Sequence, residues 1–340
     1  MNSTDSLFPV TIADVAEQAG VSISTVSRVV NGSAPVDDAT AEKVRQAVVA
    51  LGYIPQAAAR NLARRSTNTI GLLLPSIGED FFSLMMRGIE QEATAAGFDL
   101  LIATQASIDS HNGSQLPFGR HNTDGMLIFT GNLDIQGITP LYHAGFPIVL
   151  LYESAPKTLH IPTVTVENKD GTRKIIDHLI EVHNCRRIAF VKGPIGNEDS
   201  NWRELGYRAS LAAHGIRFDP RLMVRGEFNT DTSIRVITAL LQNGSKPDAI
   251  FGGSDEGAIG AFLALNKLGI RIPDDIAVVG FDDLTLAQYL HPGLTTVHAP
   301  TEEVGRVAFH QLLRLLRKEE VEPLTLLPTE LIIRQSCGCP

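Results

Sequence analysis

The stretch GVSISTVSRVVNG, residues 20–32, decides how the N-terminal part of the chain folds. Ser22 is a favourable N-cap for a helix that runs to about Asn31, because its hydroxyl can accept a backbone N–H of the first turn. Three apolar side chains share the inward side of that helix: Val26, Val29 and Val30. Gly20 breaks any helix that precedes it, so the stretch predicts a short turn followed by an amphipathic helix.

A second helix is predicted immediately before this stretch. Thr11 can serve as its N-cap, with Asp14 three positions on as the acidic partner. Four apolar residues then fall on one face: Ile12, Val15, Ala16 and Ala19. A three-residue turn separates the two helices, and small residues at their contact let them cross closely at a steep angle. The pattern predicts a helix-turn-helix.

The outward side of the helix that begins after Ser22 is rich in hydroxyls. With the valines inward, five side chains point outward: Ile23, Ser24, Ser27, Arg28 and Asn31. A helix N-terminus favours phosphate, hydroxyls bond base edges, arginine grips guanine through two bonds and isoleucine can contact a thymine methyl. We therefore predict a surface for the DNA major groove. The alternative is a helical bundle whose solvent face happens to carry Ser and Thr.

Two further segments complete the N-terminal part. A third helix is predicted from Asp37 or Asp38 through Leu51. Beyond it, the Ala-rich run 56–64 has high helix propensity but almost no apolar stripe, so its helix is unstable alone. It can form when paired with its twin from a second chain in the minor groove, where Leu62 would act as a wedge between base steps. The alternative is an ordinary basic interdomain linker.

Length and charge indicate several compact units of different character. The 340 residues exceed the usual size of one hydrophobic core. Residues 1–66 hold six basic and six acidic residues, so the whole net charge of -9 lies downstream. No run of about 18 apolar residues could span a bilayer. The start MNSTDSLFPV also lacks the features of a secretory signal, so we expect a cytoplasmic protein with no membrane partner.

Two long stretches resemble the N-terminus of LacI/GalR-type transcriptional repressors almost position for position. They are VTIADVAEQAGVSISTVSRVVNG, residues 10–32, and VRQAVVALGYIPQAAARNLARRSTNTIGLLLP, residues 44–75. The resemblance implies an all-α helix-turn-helix DNA-binding domain over 1–66, with a hinge helix over about 55–64. It is highly specific, and it covers the wedge position at Leu62.

The same resemblance implies roles for individual residues toward operator DNA. Asn31 and Tyr53 fall where the family contacts phosphates. Ile23, Ser24 and Arg28 fall where it reads bases, and the first two vary with operator specificity, so the operator sequence stays open. The full set that we expect to contact DNA is Thr11, Ser22, Ile23, Ser24, Thr25, Ser27, Arg28, Asn31, Tyr53, Arg60, Asn61 and Leu62.

From Ile70 onward, strands and helices are predicted in alternation. Seven apolar runs are typical of buried parallel strands: IGLLLP, FDLLIA, DGMLIF, PIVLLY, RRIAFVKG, DAIFGGS and IAVVGFDD. Amphipathic stretches separate them, so two doubly wound units are predicted, with the chain crossing between them near Pro162, Thr295 and Leu326. Open α/β sheets bind ligands at the carboxyl ends of their strands, which makes the cleft between the units the natural ligand site.

This second part resembles the periplasmic-binding-protein-like (type I) effector domain of the same family. NWRELGYRASL, FGGSDEGAIGAFLAL, IPDDIAVVGFDDL, LTTVHAP and TELIIRQSCG stand in the family's order. The resemblance implies an effector-binding and dimerisation domain over 67–340. Its N-subdomain would comprise about 67–162 and 297–325, and its C-subdomain about 163–296 and 326–340. SHNGSQLPFGRHNT, residues 110–123, departs from the pattern because it replaces a charged helix.

Candidate effector residues follow from strand ends and from the resemblance. Asp255 and Asp282 each end a predicted strand, so both carboxylates should face the crevice and accept sugar hydroxyls. Arg203 sits where the family carries an arginine that grips ligand oxygens. The acidic pair Glu79 and Asp80, after the first strand, disfavours an anionic ligand near that edge, whereas Arg203 works in the opposite direction. The full set is Glu79, Asp80, Phe81, Phe82, Glu153, Trp202, Arg203, Asp255 and Asp282, and for each the alternative is helix capping or surface solvation.

Enzyme and metal motifs are missing from the sequence. No dinucleotide-binding, P-loop, nucleophile-elbow or H-E-x-x-H pattern occurs. Cys337 and Cys339 form a Cys-x-Cys pair, but no histidine lies near them in sequence, so we expect a plain thiol pair and no metal or cofactor. His178 and His183 are best explained as part of a solvated helix face.

These observations predict a regulator, not an enzyme. We expect a homodimeric repressor of a carbohydrate-utilisation operon, with a tetramer left open, that is associated with the bacterial nucleoid through double-stranded operator DNA. A small sugar or sugar derivative bound between the subdomains would control DNA affinity. Three alternatives remain: a sugar-binding protein without DNA, a co-repressed regulator with a non-sugar effector, and a carbohydrate-active enzyme that uses Asp255 and Asp282 as paired carboxylates.

Overall fold

The structure is a computed structural model that describes residues 10–32, 34–53, 66–105, 116–129, 135–156 and 158–340. The chain divides into two compact units, Met1–Thr67 and Asn68–Pro340. The predicted hinge helix, with Arg60, Asn61 and Leu62, lies outside the described residues, as do residues 110–115 of the segment 110–123.

The described part of the first unit contains three helices: α1 (Ile12–Ala19), α2 (Ile23–Asn31) and α3 (Asp38–Leu51). Each begins at the predicted cap. The backbone N–H of Thr11 donates to Asp14 Oδ2 at 2.8 Å, and Thr11 Oγ1 accepts the Asp14 N–H at 3.4 Å, which confirms the predicted capping box. Ser22 Oγ accepts the Thr25 N–H, and Asp37 accepts the Thr40 N–H.

The small core of this unit confirms the predicted inward faces. Val15, Val26 and Val44, one from each helix, have no solvent exposure. Ala16 and Ala47 are buried beside them, and their small side chains let the three helices approach closely. The helix-turn-helix is therefore held together by the packing of these apolar side chains and by its caps.

The second unit contains a six-stranded parallel sheet in the order β11-β5-β4-β3-β1-β2. Its strands are β1 (Thr69–Leu74), β2 (Asp99–Thr104), β3 (Gly125–Ile128), β4 (Ile148–Leu151), β5 (Thr163–Val166) and β11 (Leu324–Leu327). The described helices beside this sheet are α4 (Asp80–Ala96), α5 (Ile135–His143) and α10 (Thr301–Leu316). Residues of β1, β3 and β4 are almost wholly buried, as the continuous apolar runs predict for parallel strands covered on both faces.

A second parallel sheet has the order β7-β6-β8-β9. Its strands are β6 (Ile188–Lys192), β7 (Met223–Arg225), β8 (Ala249–Gly252) and β9 (Ala277–Val279). Its helices are α6 (Asn168–Glu181), α7 (Glu198–Ala213), α8 (Thr230–Gln242) and α9 (Asp255–Lys267). Two doubly wound subdomains were predicted, and both are present.

Two short strands link the subdomains. The strand pairing around them differs from the predicted subdomain boundaries. β10 (Thr296–His298) and β12 (Glu330–Ile332) pair antiparallel, apart from both large sheets. β5 pairs with β4 and with β11, so residues 163–166 and 324–327 belong to the first sheet. The expected crossings at Pro162 and Leu326 are therefore a few residues early. Among the described residues, no helix is long and apolar enough to span a membrane.

Candidate functional site

A cavity of about 580 Å³ opens where strands of both sheets end. Pro75, Gln105 and Phe129 follow strands of the first sheet, and Pro194 and Leu284 follow strands of the second. The remaining lining residues are Glu79, Phe81, Phe82, Asn197, Asp199, Arg203, Glu227, Phe228, Asn229, Ser254, Glu256 and Asp282. The volume lies within the range of small-molecule sites, and the position is the one that parallel α/β sheets offer to ligands.

Arg203 is the central cation of this cavity and is only 3% exposed. Its Nε donates to Asn168 Oδ1 at 2.8 Å, its Nη1 donates to the carbonyl of Gly253, and its Nη2 donates to Asp282 Oδ1 at 3.1 Å. A guanidinium has five N–H donors, so this arrangement fixes its plane while two donors stay available. Such a held fork suits ligand oxygens.

The Arg203 guanidinium also contacts two aromatic rings. The Arg203 Cζ lies 3.7 Å from the centroid of the Phe281 ring and 5.6 Å from that of Phe228. Cation–π contacts of this kind are attractive, more so where water is excluded. Together with the hydrogen bonds, they make Arg203 part of the wall before any ligand arrives.

Two buried carboxylates flank the arginine. Burial raises the pKa of Asp199 to about 7, although the charge of Arg203 opposes the shift, and repulsion from Asp282 adds to it. Burial also raises the pKa of Asp282 to about 6, against the lowering effect of Arg203. Asn168 Nδ2 donates to Asp199 Oδ1 at 2.7 Å, so the same amide orients both Asp199 and Arg203. These groups can switch between accepting and donating within the range of cellular pH.

The backbone at Asp282 is strained. Its backbone φ angle is 113°, a value that residues other than glycine rarely adopt. The strained turn is held from the linking strand β10, because the Asp282 N–H donates to the carbonyl of Val297 at 2.8 Å. The strained turn places the Asp282 carboxylate in the cavity, next to Arg203. Strained backbone of this kind is common at binding sites.

An aromatic wall lies opposite, on the side of the first sheet. Phe81, Phe82 and Phe129 pack edge to face, with ring centroids 5.2 to 5.9 Å apart. Beside them, burial raises the pKa of Glu79, against a lowering hydrogen bond from Ser76. An apolar wall with acceptors at its rim suits the face and hydroxyls of a sugar ring.

The outward side of α2 presents the predicted DNA surface. Ile23 is 53% exposed, and Ser24 and Arg28 are also exposed. Ser27 and Asn31 are half-buried and joined by a 3.2 Å hydrogen bond from Asn31 Nδ2 to Ser27 Oγ. Of the other predicted DNA contacts, Thr11 and Ser22 are exposed caps, and Thr25 and Tyr53 are half-buried.

Comparison with known proteins decides the family. The description "Bacterial regulatory proteins, lacI family" matches residues 11–56, and "Periplasmic binding protein-like domain" matches residues 176–337. Catabolite control protein A of Priestia megaterium is 33% identical over 333 residues, which cover 96% of this chain and 99% of that protein. The HTH-type transcriptional regulator CelR of Thermobifida fusca is 36% identical over 337 residues, with coverages of 96% and 98%. The chain belongs to the lacI family.

Solved structures agree with this membership. A lac repressor dimer bound to operator and the anti-inducer ONPF has a TM-score of 0.81 at 28% identity, with 97% of this chain and 99% of that chain covered. A CelR–cellobiose complex has a TM-score of 0.70 at 32% identity, with coverages of 96% and 99%. This lacI-family chain is thus a DNA-binding transcriptional regulator whose α/β unit has the periplasmic-binding-protein-like fold.

Five of the nine predicted effector residues line the cavity of this lacI-family protein, and four do not. The five are Glu79, Phe81, Phe82, Arg203 and Asp282. Asp80 is exposed at the start of α4, Glu153 lies outside the lining, and Trp202 is 44% exposed, with its Nε1 donating to Glu198. For these three, the alternative of a surface or structural role fits the structure better.

Asp255 is the clearest correction. The prediction that it faces the crevice is wrong, because it is fully buried and absent from the cavity lining. Its carboxylate accepts the hydroxyl of Thr296 at 2.6 Å and the backbone N–H of Leu284 at 2.8 Å. Burial holds the pKa of Asp255 well above its usual range, with Asp282 adding to the shift. Asp255 is therefore a structural tie between α9 and the linking strand β10.

Sequence reasoning missed several lining residues, and Asp199 is the most informative. It lies four residues before Arg203, hence on the same face of α7, and that spacing could have identified it. Asn197 could have been found as the N-cap of α7, since its side chain accepts the Ser200 N–H at 2.8 Å. Glu227 and Phe228, with φ of 57° and 52°, sit in a loop after β7 and carry no sequence signal that we recognise.

His178 and His183, which were predicted to lie on a solvated helix face, lie beside the two cysteines near the end of the sequence. His178 is buried, and its Nε2 lies 3.5 Å from the sulfur of Cys337. His183 Nε2 lies 3.5 Å from the sulfur of Cys339. The interpretation as a solvated face is wrong for His178, because the chain folds its C-terminal cysteines onto the end of α6.

Proposed function

We propose that this regulator is a repressor whose operator affinity is controlled by a neutral carbohydrate bound in the cavity around Arg203. The observation that carries the proposal is the charge of the lining. Among the lining residues that the structure describes, Arg203 is the one cation, against five carboxyl groups: Glu79, Asp199, Glu227, Glu256 and Asp282. The ionised members of this set repel a phosphate or sugar acid in a site of low dielectric, whereas a neutral sugar hydroxyl can donate to an ionised carboxylate and accept from a protonated one.

Relatives support a sugar as the ligand class. One relative is named a ribose operon repressor, one structure is a regulator with bound ribose, and CelR is solved with cellobiose. In this chain, Phe81, Phe82 and Phe129 offer an apolar face for a ring, and the two remaining donors of Arg203 can hold an oxygen. We therefore propose that the protein serves a carbohydrate-utilisation operon.

For the DNA side, we propose that α2 enters the major groove, with Ile23, Ser24 and Arg28 against base edges. The predicted hinge contacts at Arg60, Asn61 and Leu62 belong to the same proposal. A homodimer is favoured by the edge strand β2, where Leu101 and Ile102 are 39% and 44% exposed. We further propose that the protein acts on the bacterial nucleoid, where its operator lies.

A ligand panel with one matched pair of variants tests the proposal. Titration calorimetry with neutral mono- and disaccharides, sugar phosphates and sugar acids should give binding only with a neutral member. Arg203→Lys keeps the charge but loses the fork, so its Kd should rise at least about tenfold, which corresponds to about 1.4 kcal/mol. Arg208→Lys is the control, because Arg208 lies on the same helix and stacks on Phe218 outside the cavity.

Fluorescence anisotropy with an operator selected from random duplexes completes the test. An inducing sugar should lower operator affinity, and a co-repressing ligand would raise it, so the sign separates these two cases. Preferential binding of sugar phosphates, or an unchanged Kd in Arg203→Lys, would contradict the assignment of the cavity. The enzyme alternative required Asp255 and Asp282 in one crevice. Since Asp255 is fully buried and does not line the cavity, we propose that incubation with the bound sugar gives no turnover.

A further inference from the structure

A cluster of two histidines and two cysteines lies at the end of the second unit, away from the residues that line the cavity. His178, His183, Cys337 and Cys339 each offer one ligand atom, and these atoms all lie within 4.8 Å of one another. We propose that these four side chains form a binding site for a thiophilic divalent metal ion, with Zn²⁺ as the best match.

The distances fit a tetrahedral ion. Zn–S bonds of about 2.3 Å and Zn–N bonds of about 2.0 to 2.1 Å in a tetrahedron place N and S ligands about 3.5 Å apart. His178 Nε2 lies 3.5 Å from the sulfur of Cys337 and 3.7 Å from that of Cys339, and His183 Nε2 lies 3.5 Å from the sulfur of Cys339. Three of the six ligand-to-ligand distances therefore already match the edges of a zinc tetrahedron.

Local backbone structure explains how a chain with only three cysteines builds this set. His178 projects from the last turn of α6, and His183 follows in the loop five residues later. Gly338, between the two cysteines, has a φ of 107°, which turns the chain so that both sulfurs face the histidines. A side chain at this glycine would also meet the His183 ring, at 3.2 Å from its Nδ1.

The surroundings suit a closed structural site. Cys337 is 2% exposed and His178 is 9% exposed, while His183 and Cys339 are half-buried and leave a path for entry. The hydroxyl of Thr295 lies 3.2 Å from the Cys337 sulfur, to which it can donate a hydrogen bond. Two imidazoles and two thiols, without a carboxylate, select zinc or another soft ion over Mg²⁺ or Ca²⁺.

Charge balance favours occupation by a divalent ion. Binding converts the two thiols to thiolates and releases their two protons to the solvent, so the metal with its ligands is neutral overall. A neutral unit can remain in this half-buried position without a further counter-ion. No oxidation or reduction takes part.

The site would hold the C-terminal tail against the linking strands. The Thr295 N–H donates to Ser336 Oγ at 2.8 Å, and the Arg334 N–H donates to Thr295 Oγ1 at 2.8 Å. β12 ends at Ile332, only five residues before Cys337. A metal ion at this site would join the tail to α6, close to the strands that connect the subdomains. It would therefore stabilise the second unit.

Cobalt substitution in the full-length protein tests the proposal. The chain is stripped with a chelator under reducing conditions and titrated with Co²⁺. One equivalent should give the intense visible bands of tetrahedral cobalt with a sulfur-to-metal charge-transfer band, and Zn²⁺ should displace it stoichiometrically. Zn²⁺ should also raise the melting temperature by several degrees, because it binds the folded state preferentially.

Variants separate this site from adventitious binding. Cys339→Ser and His183→Gln change the two half-buried ligands, so the fold is least disturbed, and both should weaken zinc binding at least tenfold and abolish the tetrahedral cobalt spectrum. Cys185→Ala is the control, since Cys185 is a buried cysteine outside the four-residue set, and it should bind like the unaltered protein. A six-coordinate cobalt spectrum, or equal binding in all variants, would overturn the proposal.

Discussion

At the scale of single residues, the raised pKa of Asp199 links stability to pH. The folded-state pKa of about 7 lies above the ordinary aspartate pKa of 3.8, so folding favours the protonated form. That stabilisation is fully present below about pH 4 and is lost as the pH rises through about 7. Asp199→Asn removes this titration and keeps an acceptor for Asn168, so the variant should gain stability relative to the unaltered protein as the pH increases.

Melting temperatures of the second unit at about pH 5 and about pH 8 measure this effect. The difference between Asp199→Asn and the unaltered protein should become several degrees more positive at the higher pH. Asp275→Asn is the control, because its exposed partner Arg271 holds the pKa of Asp275 to about 2, below this window. A difference for Asp199→Asn that does not change with pH would show that Asp199 is ionised throughout.

The sequence predicts individual site residues where a local rule applies. Arg203, Glu79 and Asp282 were found because strand ends and family motifs mark them. Asp255 obeys the same strand-end rule but turns inward, because Thr296 and the backbone of Leu284, 41 and 29 positions away, offer it hydrogen bonds. Which way a strand-end carboxylate faces depends on such distant partners, and a single sequence does not show them.

At the scale of elements, the helices α4 and α10 pack with their backbones almost in contact. A Cβ atom added to Gly305 would lie 2.3 Å from the carbonyl oxygen of Met85, and one added to Gly88 would lie 2.0 Å from that of Glu302. Gly305→Ala must therefore push the helices apart, and it should destabilise the second unit by about 1 to 3 kcal/mol. Its melting temperature reports the loss.

Gly257→Ala in α9 is the matched control for this substitution. The Cβ atom there would meet its nearest neighbours at 3.6 Å, an ordinary contact, and alanine favours helix by about 0.5 to 1 kcal/mol over glycine. The two variants should thus shift the melting temperature in opposite directions. Equal shifts would mean that helix propensity, not the close crossing of α4 and α10, sets the result.

The elements themselves were largely predictable, and the links between subdomains were not. Long apolar runs marked β1 and β6, and caps marked α1 to α3, because these signals are local. β5 was assigned to the wrong subdomain because its membership depends on pairing with β11, about 160 residues later. β10 and β12 have three residues each, which is too short for a periodic signal.

At the scale of the whole molecule, the linking strands are where a ligand in the cavity can act on the second unit. Asp282 lines the cavity and donates its backbone N–H to Val297 of β10. The neighbouring Asp283 accepts a hydrogen bond from Arg334, at the end of β12, at 2.8 Å. A sugar that engages Asp282 therefore contacts the turn that joins the second sheet to both linking strands.

Control of DNA affinity by the sugar requires a reciprocal effect of DNA on the sugar. If the bound sugar changes the operator Kd by some factor, the operator must change the sugar Kd by the same factor, and about 5- to 150-fold is typical. We expect a factor in this range from anisotropy titrations of operator with and without saturating sugar, and from calorimetric titrations of sugar with and without operator. Arg208→Lys should reproduce both values, since Arg208 lies outside the cavity. A factor of one in both titrations would mean that the cavity binds its ligand without governing the DNA, which would contradict the proposed function while leaving sugar binding intact.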